Sequence, residues 1–109
     1  MTYEERAKVY DQALETFGRE NQLIVALEEL SECQKEICKA LREQHDLTNL
    51  AEEVADATIV LEQVRRIFGI DNVKDWWINR KVERLQHRIY AAKAPMAWED
   101  KTESGILEE

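Results

Sequence analysis

The feature that most constrains this chain is its scarcity of turn-forming residues: its 109 residues include only three Gly and one Pro. A sandwich or barrel of many short strands needs frequent Gly- or Pro-containing turns, so neither fold is expected. The three glycines stand apart at positions 18, 69 and 105, which also argues against a phosphate-binding glycine loop. The composition therefore favours a mostly helical domain.

Four segments of the sequence have the periodicity of amphipathic helices. In the clearest segment, apolar residues recur every three or four positions from Leu47 to Phe68. Gly69 then predicts a helix stop. Because the segments are joined by short connections, consecutive helices are expected to lie antiparallel. The sequence predicts an all-α fold, an antiparallel helical bundle of four main helices.

Length and charge limit the organisation and the partners of the chain. A helical domain this small is expected to complete its core by oligomerisation. We predict one helical domain over residues 1–94 and an acidic C-terminal tail or docking arm over residues 95–109. The net charge of -8 argues against binding a nucleic acid polymer. A polar N-terminus and the lack of a long apolar run predict no signal peptide, no membrane span and a cytoplasmic location.

One pattern of acids occurs twice in the middle of the chain. Two acids, two other residues and a third acid form the segments Glu28-Glu29-Leu30-Ser31-Glu32 and Glu52-Glu53-Val54-Ala55-Asp56. Residues three apart share a helix face, so the second and third acids of each set project together. If the turn between the two helices is centred near His45, Asp56 lies opposite about Lys35 and within reach of Glu32.

The distribution of cations distinguishes a metal site from a solvated acidic face. Residues 20–34 and 43–64 contain no Lys or Arg, whereas a solvated face usually carries cations three or four residues from its acids. Carboxylates that converge at a partly desolvated interface need a compensating cation or a proton. Oxygen ligands favour Mg²⁺, with Mn²⁺ as a substitute. A di-iron site is not expected, because His45 and His87 provide no Glu-x-x-His pair.

The fourth segment is basic and contains candidate anion ligands. Asn79, Lys81 and Arg84 could bind a polyphosphate that the metal also binds. Alternatively, the basic helix only pairs with the acidic helices. Trp76 and Trp77 could stack on a base, although such tryptophans more often anchor a core or an interface.

These motifs together resemble the all-α nucleoside triphosphate pyrophosphohydrolases, the MazG-like superfamily that includes dimeric dUTPases and dCTP pyrophosphatases. The resemblance covers about residues 22–88 and rests on three motifs in order, Glu28-Glu29-Leu30-Ser31-Glu32, Glu53-Val54-Ala55-Asp56 and Asn79-Arg80-Lys81-Val82-Glu83-Arg84. A basic residue that many members carry shortly before the asparagine has no clear counterpart here, where Trp76 and Trp77 stand.

The resemblance implies a role for each group of residues. The Mg²⁺ ligands would be Glu29, Glu32, Glu53 and Asp56. The residue that orients or deprotonates the attacking water would be Glu28 or Glu52. The phosphate ligands would be Asn79, Lys81 and Arg84. The implied reaction is the Mg²⁺-dependent hydrolysis of a (deoxy)nucleoside triphosphate to the monophosphate and pyrophosphate, in a homodimer or homotetramer.

Two alternatives stay open at this point. The chain could be a non-catalytic helical dimerisation module with solvated acidic faces, or an inactive relative that binds nucleotide without hydrolysing it. Acids at all four expected ligand positions favour the enzyme.

Overall fold

Within the residues that the structure describes, the chain forms four α-helices: α1 (Tyr3–Phe17), α2 (Arg19–Leu41), α3 (Leu47–Phe68) and α4 (Asp71–Lys93). The computed structural model describes residues 1–44 and 46–94, and every regular element within these residues is a helix. The predicted all-helical class is thus confirmed. Across the same residues, no helix is long and apolar enough to span a bilayer.

The helix ends follow from local side-chain and glycine chemistry. Thr2 and Glu5 form a capping box at the start of α1, each side chain accepting from the other residue's backbone N–H. At the end of α3, Gly69 adopts a left-handed conformation with φ of 66°, as predicted for a stop. The Ile70 N–H then donates to the Arg65 carbonyl at 3.0 Å, which satisfies a carbonyl of the last turn.

The chain divides into two compact units, Met1–Ile70 with α1 to α3, and Asp71–Glu109 with α4. The single domain predicted for residues 1–94 stays a prediction. The tail predicted for residues 95–109 lies outside the described residues.

In the first unit, α2 packs along α3 and α1 contacts both. The buried apolar residues of this unit are Ala7, Tyr10, Ala26, Ala57 and Val60. Among the described residues of this unit, three polar ones are also buried: Gln22, Glu36 and Glu62. Most of the large aliphatic side chains of α2 and α3 are partly or largely exposed. The core of this unit is therefore small, and apolar surface is left uncovered.

Candidate metal centre

Three carboxylates meet where α2 lies against α3. One oxygen from each of Glu29, Glu53 and Asp56 can be chosen so that all three atoms lie within 4.8 Å of one another. The three side chains are half-buried. One acid comes from α2 and two come from α3, so the cluster depends on the packing of the two helices.

The register of α2 against α3 brings these acids together. The Gln63 amide donates a hydrogen bond of 2.9 Å to the Gln22 side-chain carbonyl, and a carboxylate oxygen of Glu29 lies within 4.8 Å of one of Asp56. Glu29 follows Gln22 by seven residues, and Asp56 precedes Gln63 by seven. Seven residues are about two helical turns. The contacts therefore run in opposite directions along the two helices, and both pairs belong to one line of contacts.

This register corrects the alignment expected from sequence. The sequence predicts Asp56 opposite about Lys35, whereas in the structure it lies beside Glu29, which is closer to the start of α2. The expectation assumes that the helices pair symmetrically about the turn. In the structure α2 continues to Leu41 and α3 starts only at Leu47. The observed register places Leu47 about level with Cys38, so α2 extends roughly one turn past the start of α3.

The proximity of the acids disfavours their ionised forms. Burial raises the pKa of the Glu53 carboxyl, and the neighbouring charges of Asp56 and Glu29 raise it further. Burial also raises the pKa of the Glu29 carboxyl, and the neighbouring charge of Asp56 raises it further. Both shifts have the sign expected for carboxylates that share a partly desolvated site without a compensating cation.

One oxygen of the cluster has no partner. Glu53 Oε1 is buried and, among the described residues, accepts no hydrogen bond. A buried carboxylate oxygen that no donor satisfies is costly. A hard divalent cation bound by this oxygen and by those of Glu29 and Asp56 would remove that cost. The donor set and the unpartnered oxygen thus both fit Mg²⁺ or Mn²⁺.

The structure brings together three of the four predicted ligands. Glu32 is exposed and lies outside the 4.8 Å group, although its charge contributes to the raised pKa of Glu29 and of Glu53. The predicted water-activating residues, Glu28 and Glu52, are exposed and each precedes a residue of the cluster. Their roles stay predictions.

The predicted phosphate ligands all lie on α4. Asn79, Lys81 and Arg84 are exposed on this helix, in the second compact unit. The carboxylates belong to the first compact unit, whereas these three residues belong to the second. Phosphate binding by these three residues stays a prediction.

The two predicted stacking residues contact each other. The ring centroids of Trp76 and Trp77 lie 4.8 Å apart in an edge-to-face arrangement. The Arg80 guanidinium lies 5.5 Å from the Trp76 ring, and the Lys81 ammonium lies 5.8 Å from the Trp77 ring. These distances are typical of cation–π contacts. Base stacking by either tryptophan stays a prediction.

Gln22 and Gln63 are site-positioning residues that the sequence interpretation missed. Their hydrogen bond is partly buried and links α2 to α3 two turns from the acids. A weak signal was present, since each glutamine stands seven residues from an acid of the cluster on its own helix. A polar residue within an apolar helical stripe indicates such a hydrogen bond only when the helix that packs against it is known.

Known proteins add nothing to this assignment: the chain matches no family model, no curated protein and no solved structure. The family resemblance consequently rests on the three short motifs.

Proposed function

We propose that this chain is a Mg²⁺-dependent nucleoside triphosphate pyrophosphohydrolase that converts a (deoxy)nucleoside triphosphate to the monophosphate and pyrophosphate. The observation that carries the proposal is the convergence of Glu29, Glu53 and Asp56 within 4.8 Å. The unpartnered oxygen of Glu53 supports it, because an acidic cluster that is merely solvated would not bury such an atom.

The chemistry of the cluster fits Mg²⁺, with Mn²⁺ as a substitute. Glu29, Glu53 and Asp56 would bind the ion, and Glu32 would join them by reorienting its exposed side chain. When bound, the ion would supply Lewis-acid stabilisation of phosphoryl oxygens and a lower pKa for water at the site. No Ser or Cys nucleophile and no glycine loop are then required.

The remaining roles belong to neighbouring acids and to α4. Glu28 or Glu52 would accept a proton from the attacking water, since each adjoins a proposed ligand and is exposed. Asn79, Lys81 and Arg84 would bind the phosphates, and their motif supports this through the family resemblance. The exposed rings of Trp76 and Trp77 would offer a stacking surface for the base.

The proposal also covers the arrangement of the helices, the assembly of the chain and its place in the cell. The four helices would form an antiparallel bundle in a homodimer or homotetramer, and the enzyme would act in the cytoplasm on free nucleotides. The exposed apolar side chains of α2, α3 and α4 support the assembly, because a lone copy leaves them in water.

A second candidate is a non-catalytic helical dimerisation module. The same exposed apolar surface favours it, since an interaction module needs such a surface and no catalytic site. This candidate gives no role to the unpartnered oxygen of Glu53.

The test measures pyrophosphate release from a panel of nucleoside and deoxynucleoside triphosphates with and without Mg²⁺. We expect release from at least one of them, dependent on Mg²⁺, and its loss in Glu53→Gln. The matched control is Glu15→Gln, which removes one exposed acid from α1 and should leave the rate unchanged. Release that survives Glu53→Gln contradicts the ligand assignment. Nucleotide binding without release indicates the inactive relative, and neither binding nor release indicates the dimerisation module.

A further inference from the structure

An open groove lies where the end of α1 meets the start of α2. It is lined by Phe17 on α1 and by Asn21, Gln22 and Val25 on α2. Its volume of about 310 Å³ is at the lower end of the range for small-molecule sites in proteins. The lining differs from that of the carboxylate cluster, because it combines an aromatic ring, two amides and an aliphatic side chain. The groove has room for one small planar group of a ligand.

The side chains of the groove offer the two contacts by which proteins bind single bases. Phe17 is 59% exposed, so a planar ring that stacks on it would remove apolar surface from water. The exposed amide of Asn21 carries a carbonyl acceptor and two N–H donors, which can pair with the polar edge of a base. Aromatic rings and hydrogen-bonding side chains together bind unstacked bases in many proteins. The groove thus has the chemistry of a base-binding site.

Gln22 gives the groove a fixed wall. It is buried, and its side-chain carbonyl accepts a hydrogen bond of 2.9 Å from the Gln63 amide. This bond orients the Gln22 amide, whereas the exposed side chain of Asn21 can turn to suit a ligand. Asn21 is therefore the residue expected to discriminate between bases.

The groove and the carboxylate cluster lie on one face of α2. Gln22, Val25, Glu29 and Glu32 are spaced by three, four and three residues, which places them along a single stripe of the helix. Glu29 follows Gln22 by seven residues, about 10 Å along the helix axis. The sugar and phosphates of an extended nucleotide can span this distance. Val25 lies between the two sites and is exposed, so a ligand can follow the stripe from one to the other.

We infer that this groove binds the base of the nucleotide, with the ring stacked on Phe17 and its polar edge hydrogen-bonded to Asn21. The phosphates then extend along α2 toward Glu29 and the carboxylate cluster. The inference rests on the proposed function for the identity of the ligand. It gives the base a site in the first unit, separate from the stacking surface that Trp76 and Trp77 would offer in the second.

The two phenylalanines of the chain allow a direct test, because Phe17 lines the groove, whereas the ring of Phe68 contacts the Arg19 guanidinium at 4.6 Å. Full-length protein labelled with fluorophenylalanine gives one fluorine NMR signal from each, assigned with Phe17→Leu and Phe68→Leu. Single deoxynucleosides are titrated to millimolar concentration in EDTA, so that neither metal nor phosphate contributes to binding. We expect at least one of them to shift the Phe17 signal to saturation and to leave the Phe68 signal unchanged.

Variants of Asn21 test the polar contact with the base. Asn21→Leu has a similar size but no amide, and it should weaken binding of the preferred nucleoside at least about tenfold, since the base edge loses its partner. Asn21→Asp replaces the N–H donors by an acceptor and should change the order of preference among the nucleosides. The matched control is Asn49→Leu, which removes an exposed amide near the start of α3 and should bind as the wild type does. Circular dichroism verifies folding.

Failure of this inference can be distinguished from failure of the proposed function. A shift of the Phe17 signal without pyrophosphate release from any triphosphate supports the groove and indicates an inactive relative that binds nucleotide. A Phe17 signal that no nucleoside shifts overturns the inference even where pyrophosphate is released, and it leaves Trp76 and Trp77 as the stacking surface. Equal shifts of the Phe17 and Phe68 signals overturn it as well. Unchanged affinity in Asn21→Leu overturns the hydrogen bond to the base.

Discussion

Arg6 donates two parallel hydrogen bonds to Glu62, from Nε to Oε1 at 3.0 Å and from Nη2 to Oε2 at 2.9 Å. The Tyr10 hydroxyl donates a third bond to Oε1. The Glu62 carboxylate is buried, and these donors satisfy both of its oxygens. A second Arg–carboxylate pair, Arg66 with Asp11, joins the same two helices but is exposed. Helices α1 and α3 are thus joined by two arginine–carboxylate pairs, one with a buried carboxylate and one that is exposed.

Burial should make Glu62 the more important of the two carboxylates for stability. Glu62→Gln keeps the size of the side chain but leaves Arg6 and Tyr10 without a charged acceptor. We expect the free energy of unfolding to fall by about 1–3 kcal/mol, the usual cost of disrupting a buried hydrogen-bonded group. Asp11→Asn should cost less, because solvent screens an exposed pair. Urea denaturation followed by circular dichroism measures both losses, and equal losses would contradict the role of burial.

The same carboxylates should make the protein sensitive to acid. Hydrogen bonds from Arg6 lower the pKa of Glu62 below its ordinary value of 4.5, and hydrogen bonds from Arg66 lower that of Asp11 below 3.8. A carboxyl with a lowered folded-state pKa contributes its full stabilisation above the unfolded-state value. That contribution is lost as the pH falls through the folded-state pKa.

The acid sensitivity can be assigned to Glu62 by comparing Glu62→Gln with the wild type at each pH. We expect the difference in free energy of unfolding to be constant above about pH 5 and to shrink toward more acidic pH. Contributions of all other carboxyls are common to both proteins and cancel. A difference that stays constant down to the acid unfolding transition would show that Glu62 does not titrate as described.

Two glycines should differ in their tolerance of a side chain because their backbones differ. Gly18 has φ 90° and ψ 156°, a region that only glycine populates readily, whereas Gly69 has φ 66° and ψ 34° in the left-handed helical region. A Cβ at either position would meet nothing within 4 Å, so substitution tests the backbone alone. We expect Gly69→Ala to cost about 1 kcal/mol and Gly18→Ala to cost more, up to about 3 kcal/mol.

Asparagine provides the control for the glycine comparison. Asn visits the left-handed helical region more readily than other non-glycine residues. Gly69→Asn should therefore be milder than Gly69→Ala, whereas Gly18→Asn should be as costly as Gly18→Ala. Melting temperatures of the four variants measure this. A milder Asn at both positions would contradict the assigned conformations.

The sequence was sufficient to predict the local structure of the helices, but it was insufficient to predict the register of α2 against α3. Apolar periodicity and Gly69 predict the bounds of α3 because helix formation and termination depend on neighbouring residues. The spacing of Glu53 and Asp56 likewise predicts that they project together. The partner of Asp56 depends instead on how far α2 extends past the start of α3, which no periodicity encodes. The exposure of Leu27 likewise depends on the register, because the contact of α2 with α3 passes through Gln22 and Glu29.

The carboxylate cluster is tested most clearly by the effect of Glu53→Gln on the melting temperature, which should have opposite signs in EDTA and in Mg²⁺. In the folded protein, burial and the neighbouring acids disfavour the ionised form of Glu53 and raise its pKa. Glu53→Gln removes that repulsion, so in EDTA at neutral pH its melting temperature should exceed that of the wild type. Mg²⁺ should raise the melting temperature of the wild type, because a ligand that binds the native state stabilises it, and it should have little effect on Glu53→Gln. The control Glu15→Gln removes an exposed acid and should follow the wild type in both conditions. If Mg²⁺ stabilises wild type and Glu53→Gln equally, the ion binds elsewhere, and the cluster is not the metal centre.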